Sequence, residues 1–157
     1  MTIVEFLQNH AGDILAEAYQ AISRAQLKSY KTIGAEQIKQ RLQALYDLVV
    51  QGVHERNLAP MRVFARAVAI ERFESGFDLW EVQTAFNVLE EAIWMRILKE
   101  LWPSQFAEAL GLVSTILGAG KDTLARTYIG LASKTHAPSL NVQFLFAGTE
   151  SAEEMTS

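Results

Sequence analysis

The sequence contains no cysteine. That absence excludes disulfides, thiolate metal sites, cysteine nucleophiles and any thioether-linked chromophore, and it agrees most simply with a cytoplasmic location. Basic residues are not clustered. Fourteen Lys and Arg face eighteen Asp and Glu, for a net charge of −4, so the chain carries no electrostatic footprint for DNA or RNA. The three histidines, His10, His54 and His136, are too far apart to share a helical face. None stands in the ExxH or HExxH spacing that gathers metal ligands. A haem globin of this length would place a histidine in its penultimate long helix, and the stretch from Leu79 to Trp102 has none. No uncharged apolar run reaches the roughly 18 residues needed to cross a bilayer; the longest, Ala109 to Gly120, is too short and rich in glycine. The opening Met1-Thr2-Ile3-Val4-Glu5-Phe6 lacks the basic start and apolar stretch of a secretory signal. No cofactor, metal, nucleic acid or membrane is therefore expected.

What is present is ordinary globular composition. Half of the 157 residues are hydrophobic and a fifth charged, unlike a disordered chain, and this length suits one domain with a continuous core. Thr2 to Leu7 reads as a short leading turn, and Gly12-Asp13 restarts the helix, with Ile14, Leu15, Ala18, Tyr19 and Ile22 on one face. After Gly34, the recurrence of Ile38, Leu42, Leu45, Leu48, Val49 and Val53 predicts an amphipathic helix from Ala35 to about Glu55. Pro60 suits the first turn of another helix, whose buried side carries Met61, Phe64, Ala65, Val68 and Phe73.

The strongest local signal is Glu74-Ser75-Gly76-Phe77-Asp78-Leu79-Trp80-Glu81-Val82. Gly76 suits the left-handed position just past a helix end. Asp78 then starts the next helix as N-cap, Glu81 reaches back to it, and Phe77 and Val82 form a hydrophobic staple. The new helix turns Val82, Phe86, Leu89, Ile93 and Ile97 inward and stops near Trp102-Pro103. Beyond it, Phe106, Leu110, Val113, Leu117, Leu124, Tyr128 and Leu131 keep one helical phase, which argues for a single helix from Ser104 to Lys134. A kink at Gly118-Ala119-Gly120 is the alternative. Gly111, Gly118 and Ala125 fall at heptad intervals as a smooth stripe. The pattern changes after His136-Ala137-Pro138, where Leu140, Val142, Phe144 and Phe146 alternate as an extended segment. The expected architecture is an all-α bundle of globin-like size: four long helices, a short N-terminal helix and an extended C-terminal tail. The helical domain spans residues 1–138 and the tail 139–157, disordered at its end.

No chemical motif assembles. Gly118-Ala119-Gly120-Lys121 fails the phosphate-loop pattern, because Thr115 stands at the first glycine position and Asp122 follows the lysine; helix packing explains it better. Glu90 and Glu91 point to different sides of a helix. Glu71 and Glu74, with Arg72 close by, read as a solvated charged face. Core packing is the commoner reading for each of Trp80, Trp94 and Trp102, but Trp94 and Met95 widen the apolar arc beyond what one side of a bundle needs. Together with Val142, Phe144 and Phe146 they are candidate contacts for a homodimer or another partner.

The corner from Arg72 through Glu74, Gly76, Phe77, Asp78 and Glu81 to Val82, with the run Phe86 to Ile97, resembles the helical N-terminal domain of RsbR/RsbRD-type proteins. These are co-antagonists of the RsbT kinase in the bacterial stress-signalling complex called the stressosome. The likeness extends from about Phe6 to Tyr128. It implies a non-enzymatic sensory or protein-interaction domain, usually dimeric, whose partners are STAS-domain or switch-kinase proteins. In that family a STAS output domain normally follows, and none is found before Ser157. The expected function is a dimeric sensor or interaction domain in stress signalling. The alternative is a helical domain that holds a small molecule or lipid in an apolar pocket lined by phenylalanines.

Overall fold

A computed structural model describes residues 1–140. Within them the chain forms seven helices: α1 (Ile3–Asn9), α2 (Ala11–Ala25), α3 (Lys28–Ile33), α4 (Ala35–Glu55), α5 (Ala59–Glu74), α6 (Leu79–Glu100) and α7 (Phe106–Leu140). No strand occurs among the described residues, and the expected all-α bundle is found. Its inventory is fuller than the periodicity indicated. The leader is two helices, because Thr2 closes a capping box with Glu5 that starts α1 on its own. Six residues after α2 form α3, too short to show a period of 3.6.

The inward faces are those the spacing predicts. Ile14, Ala18 and Ile22 of α2, Leu42, Leu45, Val49 and Val53 of α4, and Val82, Phe86, Leu89, Ile93 and Ile97 of α6 are all buried in one core. α7 is continuous through Gly118-Ala119-Gly120 and packs along α5, α6 and α4. At about 1.5 Å per residue, its 35 residues span roughly 52 Å. Gly120 explains why glycine stands there: a Cβ would lie 2.9 Å from Met61 Sδ and 3.0 Å from Phe86 Cε2. Gly52 does the same for α4, where a Cβ would come within 2.9 Å of Ile116 Cδ1. A Cβ at Gly118, by contrast, would meet nothing within 4 Å among the described residues.

α1 is fastened to this bundle by Ile3, Phe6 and Leu7, all buried, and by the Tyr46 hydroxyl, which donates to the Leu7 carbonyl at 2.6 Å. Burial, helped by the neighbouring Asp47, pushes that phenol well above its ordinary range. α2 is held to α6 from outside by Arg96, which reaches Glu17 at 3.1 Å, Asp13 at 3.7 Å and Glu100 at 3.4 Å.

Two sequence readings are corrected. The last helix does not stop at Lys134 but runs on through Pro138 to Leu140. A proline in a final turn removes one N–H donor, and that alone does not fix the terminus. The proposed extended segment, with Val142, Phe144 and Phe146, lies outside the described residues. The tryptophans are not core: Trp80, Trp94 and Trp102 are 58%, 49% and 77% exposed. The core positions of α6 are already filled by its aliphatic and phenylalanine face.

Candidate functional site

The corner between α5 and α6 forms as its sequence requires. Gly76 has φ of +85°, the left-handed conformation that glycine adopts without a steric penalty. Phe77 N–H reaches back to the Arg72 carbonyl at 3.0 Å and Gly76 N–H to the Phe73 carbonyl at 3.1 Å, the paired bonds that close a helix end. Asp78 N–H then donates to Glu81 Oε1 at 3.0 Å. Phe77 and Val82 are both buried, and Phe77 meets Tyr30 edge to face with centroids 5.4 Å apart.

Glu81 does more than cap. It is only 3% exposed and joins the corner to α3, accepting from Ser29 N at 3.0 Å and from Ser29 Oγ at 2.7 Å. Burial alone would raise its pKa. The hydrogen bonds from Ser29 and Asp78, with Lys28 nearby, outweigh that and hold the carboxyl below its ordinary value.

Arg72 does not share the solvated face of Glu71 and Glu74. Glu71 and Glu74 are exposed, but Arg72 is 8% exposed and turned into the bundle. It sits in helical phase with the buried Met61, Ala65 and Ala69, and that spacing was visible in the sequence. Beside it Arg41, in phase with Ile38 and Leu45, enters from α4 and stands over the Phe77 ring at 5.4 Å. Arg41 pairs with Glu71 at 3.7 Å, and Arg72 pairs with the same carboxylate. Burial, reinforced by the like charge of Arg41, pushes the Arg72 guanidinium down to about 10. Tyr128 closes the cluster from α7, its hydroxyl donating to the Phe77 carbonyl at 3.2 Å. Burial pushes that phenol up to about 12. Of the corner motif, Arg72, Gly76, Phe77, Asp78, Glu81 and Val82 are brought together. Glu74 faces solvent. Ser29, Tyr30, Arg41 and Tyr128 were missed, because nothing local in the sequence pairs them with the corner.

A second feature is the outward face of α6. Trp80, Trp94, Met95 and Leu98 are exposed and, at 100° per residue, fall within one arc that Trp102 continues past the helix end. Asn87 and Glu91 lie between them. At one edge Lys121 of α7 donates to Glu90 at 2.7 Å and to Asn87 at 3.1 Å, and Ser114 donates to Glu90 at 2.9 Å. Trp94 and Met95 are thus placed on an open surface; their suggested companions Val142, Phe144 and Phe146 lie outside the described residues. Among the described residues no group of three or more His, Cys, Asp or Glu is placed to hold a metal ion, and no helix is long and apolar enough to cross a membrane.

As a class, the molecule is an all-α bundle organised on a capped corner. The family model of the RsbT co-antagonist protein rsbRD N-terminal domain matches residues 11–133, and the chain belongs to that family. It is a signalling, non-catalytic family whose setting is the stressosome. No curated protein and no solved structure matches the chain.

Proposed function

We propose that this chain is a non-enzymatic, dimeric sensor or protein-interaction domain in bacterial stress signalling, acting in the cytoplasm on STAS-domain or switch-kinase partners. The observation that carries the reading is the tryptophan face of α6. Monomeric proteins rarely expose contiguous large apolar patches, and tryptophan is enriched where partners bind. Trp80 stands at one end of that face and Trp94, Met95 and Leu98 gather at the other, with no covering element among the described residues. Core residues of the same helix contact α2 and α7, so a partner on the outer face is coupled to the bundle through a single rigid element. A signal that changes helix packing would shift the population of the contact-competent form. The alternative, a domain holding a lipid among its phenylalanines, has less support. The interior cavity beside Phe64 and Phe86 measures about 30 Å³, room for roughly two or three waters.

Light scattering across a wide concentration range tests the proposal. A dimer is expected, and Trp94→Glu with Leu98→Glu should shift it to monomer without loss of helical circular dichroism. A wild-type chain that stays monomeric throughout would sink the dimer. Replacing Val142, Phe144 and Phe146 with serine measures whether that segment contributes to the same contact.

A further inference from the structure

α3 has only six residues, and its N-cap, Leu27, supplies no side-chain bond. A helix that short is marginal in water, so it keeps its shape through what it touches. Two residues of positive φ bracket it, Gln26 at +52° and Gly34 at +86°. Both are exposed, and a Cβ on Gly34 would meet nothing within 4 Å among the described residues. The backbone can therefore turn at either point without striking a neighbour, as hinge residues do. Inward, Leu27 and Tyr30 are buried, and Tyr30 rests on the edge of Phe77. Among the described residues α3 makes two hydrogen bonds to the rest of the bundle, both from Ser29 to Glu81. Lys28 adds its charge beside the same carboxylate. Glu81 also accepts from Asp78 N–H, so it goes on capping α6 whether or not Ser29 is bound.

Opposite that attachment α3 is not packed. A cleft of about 220 Å³ separates it from the end of α2 and the start of α4, with Ser23, Gln26, Lys31 and Ala35 around it. Behind Tyr30 lies the interior cavity of about 30 Å³, which Val82 of α6 also lines. Tyr30 belongs to the walls of both spaces. It is the part of α3 that keeps the cleft and the interior apart.

We propose that α3 is a lid. It swings out as a unit about Gln26 and Gly34 when Ser29 leaves Glu81, and it uncovers the interior between α4, α5 and α6 while those helices stay folded. Closed, the interior has room only for water. Open, it gains the volume of the Tyr30 ring and joins the cleft, which admits a neutral molecule of aromatic-ring size. Such local openings cost less than global unfolding wherever an element is held by few contacts, and a guest that occupies the open form shifts its population. The lid does not involve the outward face of α6 and stands whether or not the chain is a dimer.

Because the chain has no cysteine, a single introduced thiol reports the opening. Val82→Cys places it behind Tyr30, and Ala109→Cys places it at a fully buried site on α7, whose neighbour Glu108 pairs with Arg56 past the far end of α4. Each full-length variant is labelled under native conditions with dithiodipyridine, a neutral aromatic disulfide. Val82→Cys should react at least roughly a hundredfold faster than Ala109→Cys, with little dependence on urea below the unfolding transition. Adding Ser29→Ala should speed labelling of Val82→Cys roughly tenfold or more, since the bond to a charged acceptor is lost only from the closed form. Adding Tyr46→Phe, which removes a bond that the open form keeps, should speed Ala109→Cys and leave Val82→Cys unchanged. Equal rates at the two thiols, or a Tyr46→Phe effect of the same size on both, would show that α3 opens only with the whole bundle and overturn the lid. Hydrogen exchange on the unsubstituted chain repeats the test if a variant does not fold. Amides of residues 27–33 should exchange far ahead of those in α6, and equal protection of the two would likewise overturn it.

Discussion

A single side chain, Glu81, joins the start of α6 to α3, and its position shows how a capping residue becomes a tertiary one. Its carboxylate accepts from Asp78 at its own helix start and from both Ser29 donors, 52 residues away in sequence. Glu81→Ala removes those three bonds and leaves buried donors unpaired, which should cost about 2–3 kcal/mol in urea unfolding. The sign of the pH effect follows from the direction of the shift. The folded carboxyl sits below its ordinary value, so its stabilisation is fully present above the unfolded pKa of about 4.3 and is lost as pH falls through the folded value. The unfolding midpoint of the wild type should therefore fall more steeply in acid than that of Glu81→Gln. Identical slopes would show that the carboxylate's charge contributes nothing. The corner half of this arrangement was legible, because Gly76, Asp78 and Glu81 are fixed by local backbone chemistry. The Ser29 half was not, since a hydrogen bond across that separation leaves no periodic trace. Arg72 falls between these cases: its phase with Met61, Ala65 and Ala69 marked it as inward, but adjacency to Glu71 and Glu74 suggested a solvated patch.

Among the elements, α7 shows what glycine spacing can and cannot say. Phase alone predicted one uninterrupted helix, and the structure has it. The glycines within it serve different ends. Gly120 faces Met61 and Phe86 at near-contact, whereas among the described residues nothing lies within 4 Å of a Cβ built on Gly118 or Gly111. In heptad terms Gly118 looked like the packing residue. Its neighbour Gly120 proves to be the one, because α5 and α6 both converge on that turn. The two positions should respond oppositely. Gly118→Ala gains helix propensity with no steric cost and should stabilise by about 0.8–1 kcal/mol. Gly120→Val forces Met61 and Phe86 apart and should destabilise by about 1–3 kcal/mol. Thermal unfolding of the two variants measures both, and destabilisation by Gly118→Ala would mean that another surface approaches α7 there.

At the scale of the whole molecule, the family match begins at residue 11, but the core does not. Ile3, Phe6 and Leu7 of α1 are buried against the bundle, chiefly α4, and Phe6 lies 4.9 Å from the His10 ring at the start of α2. The Tyr46 hydroxyl, buried mid-way along α4, has the Leu7 carbonyl as its acceptor. Removing α1 therefore exposes apolar surface on α4 and leaves a buried phenol without its partner. At about 1.5–3 kcal/mol for each large apolar side chain, three such losses approach the whole stability of a domain, about 5–15 kcal/mol. A chain of residues 11–157 should unfold at much lower urea or fail to fold cooperatively, and Tyr46→Phe in the full chain should lose only the hydrogen bond, about 1 kcal/mol. If the shortened chain instead unfolded at the wild-type midpoint, α1 would be an accessory to the bundle rather than one of its walls. The contrast between the two variants separates the packing of the leader from its single polar tie, which local periodicity in so short a helix could not do.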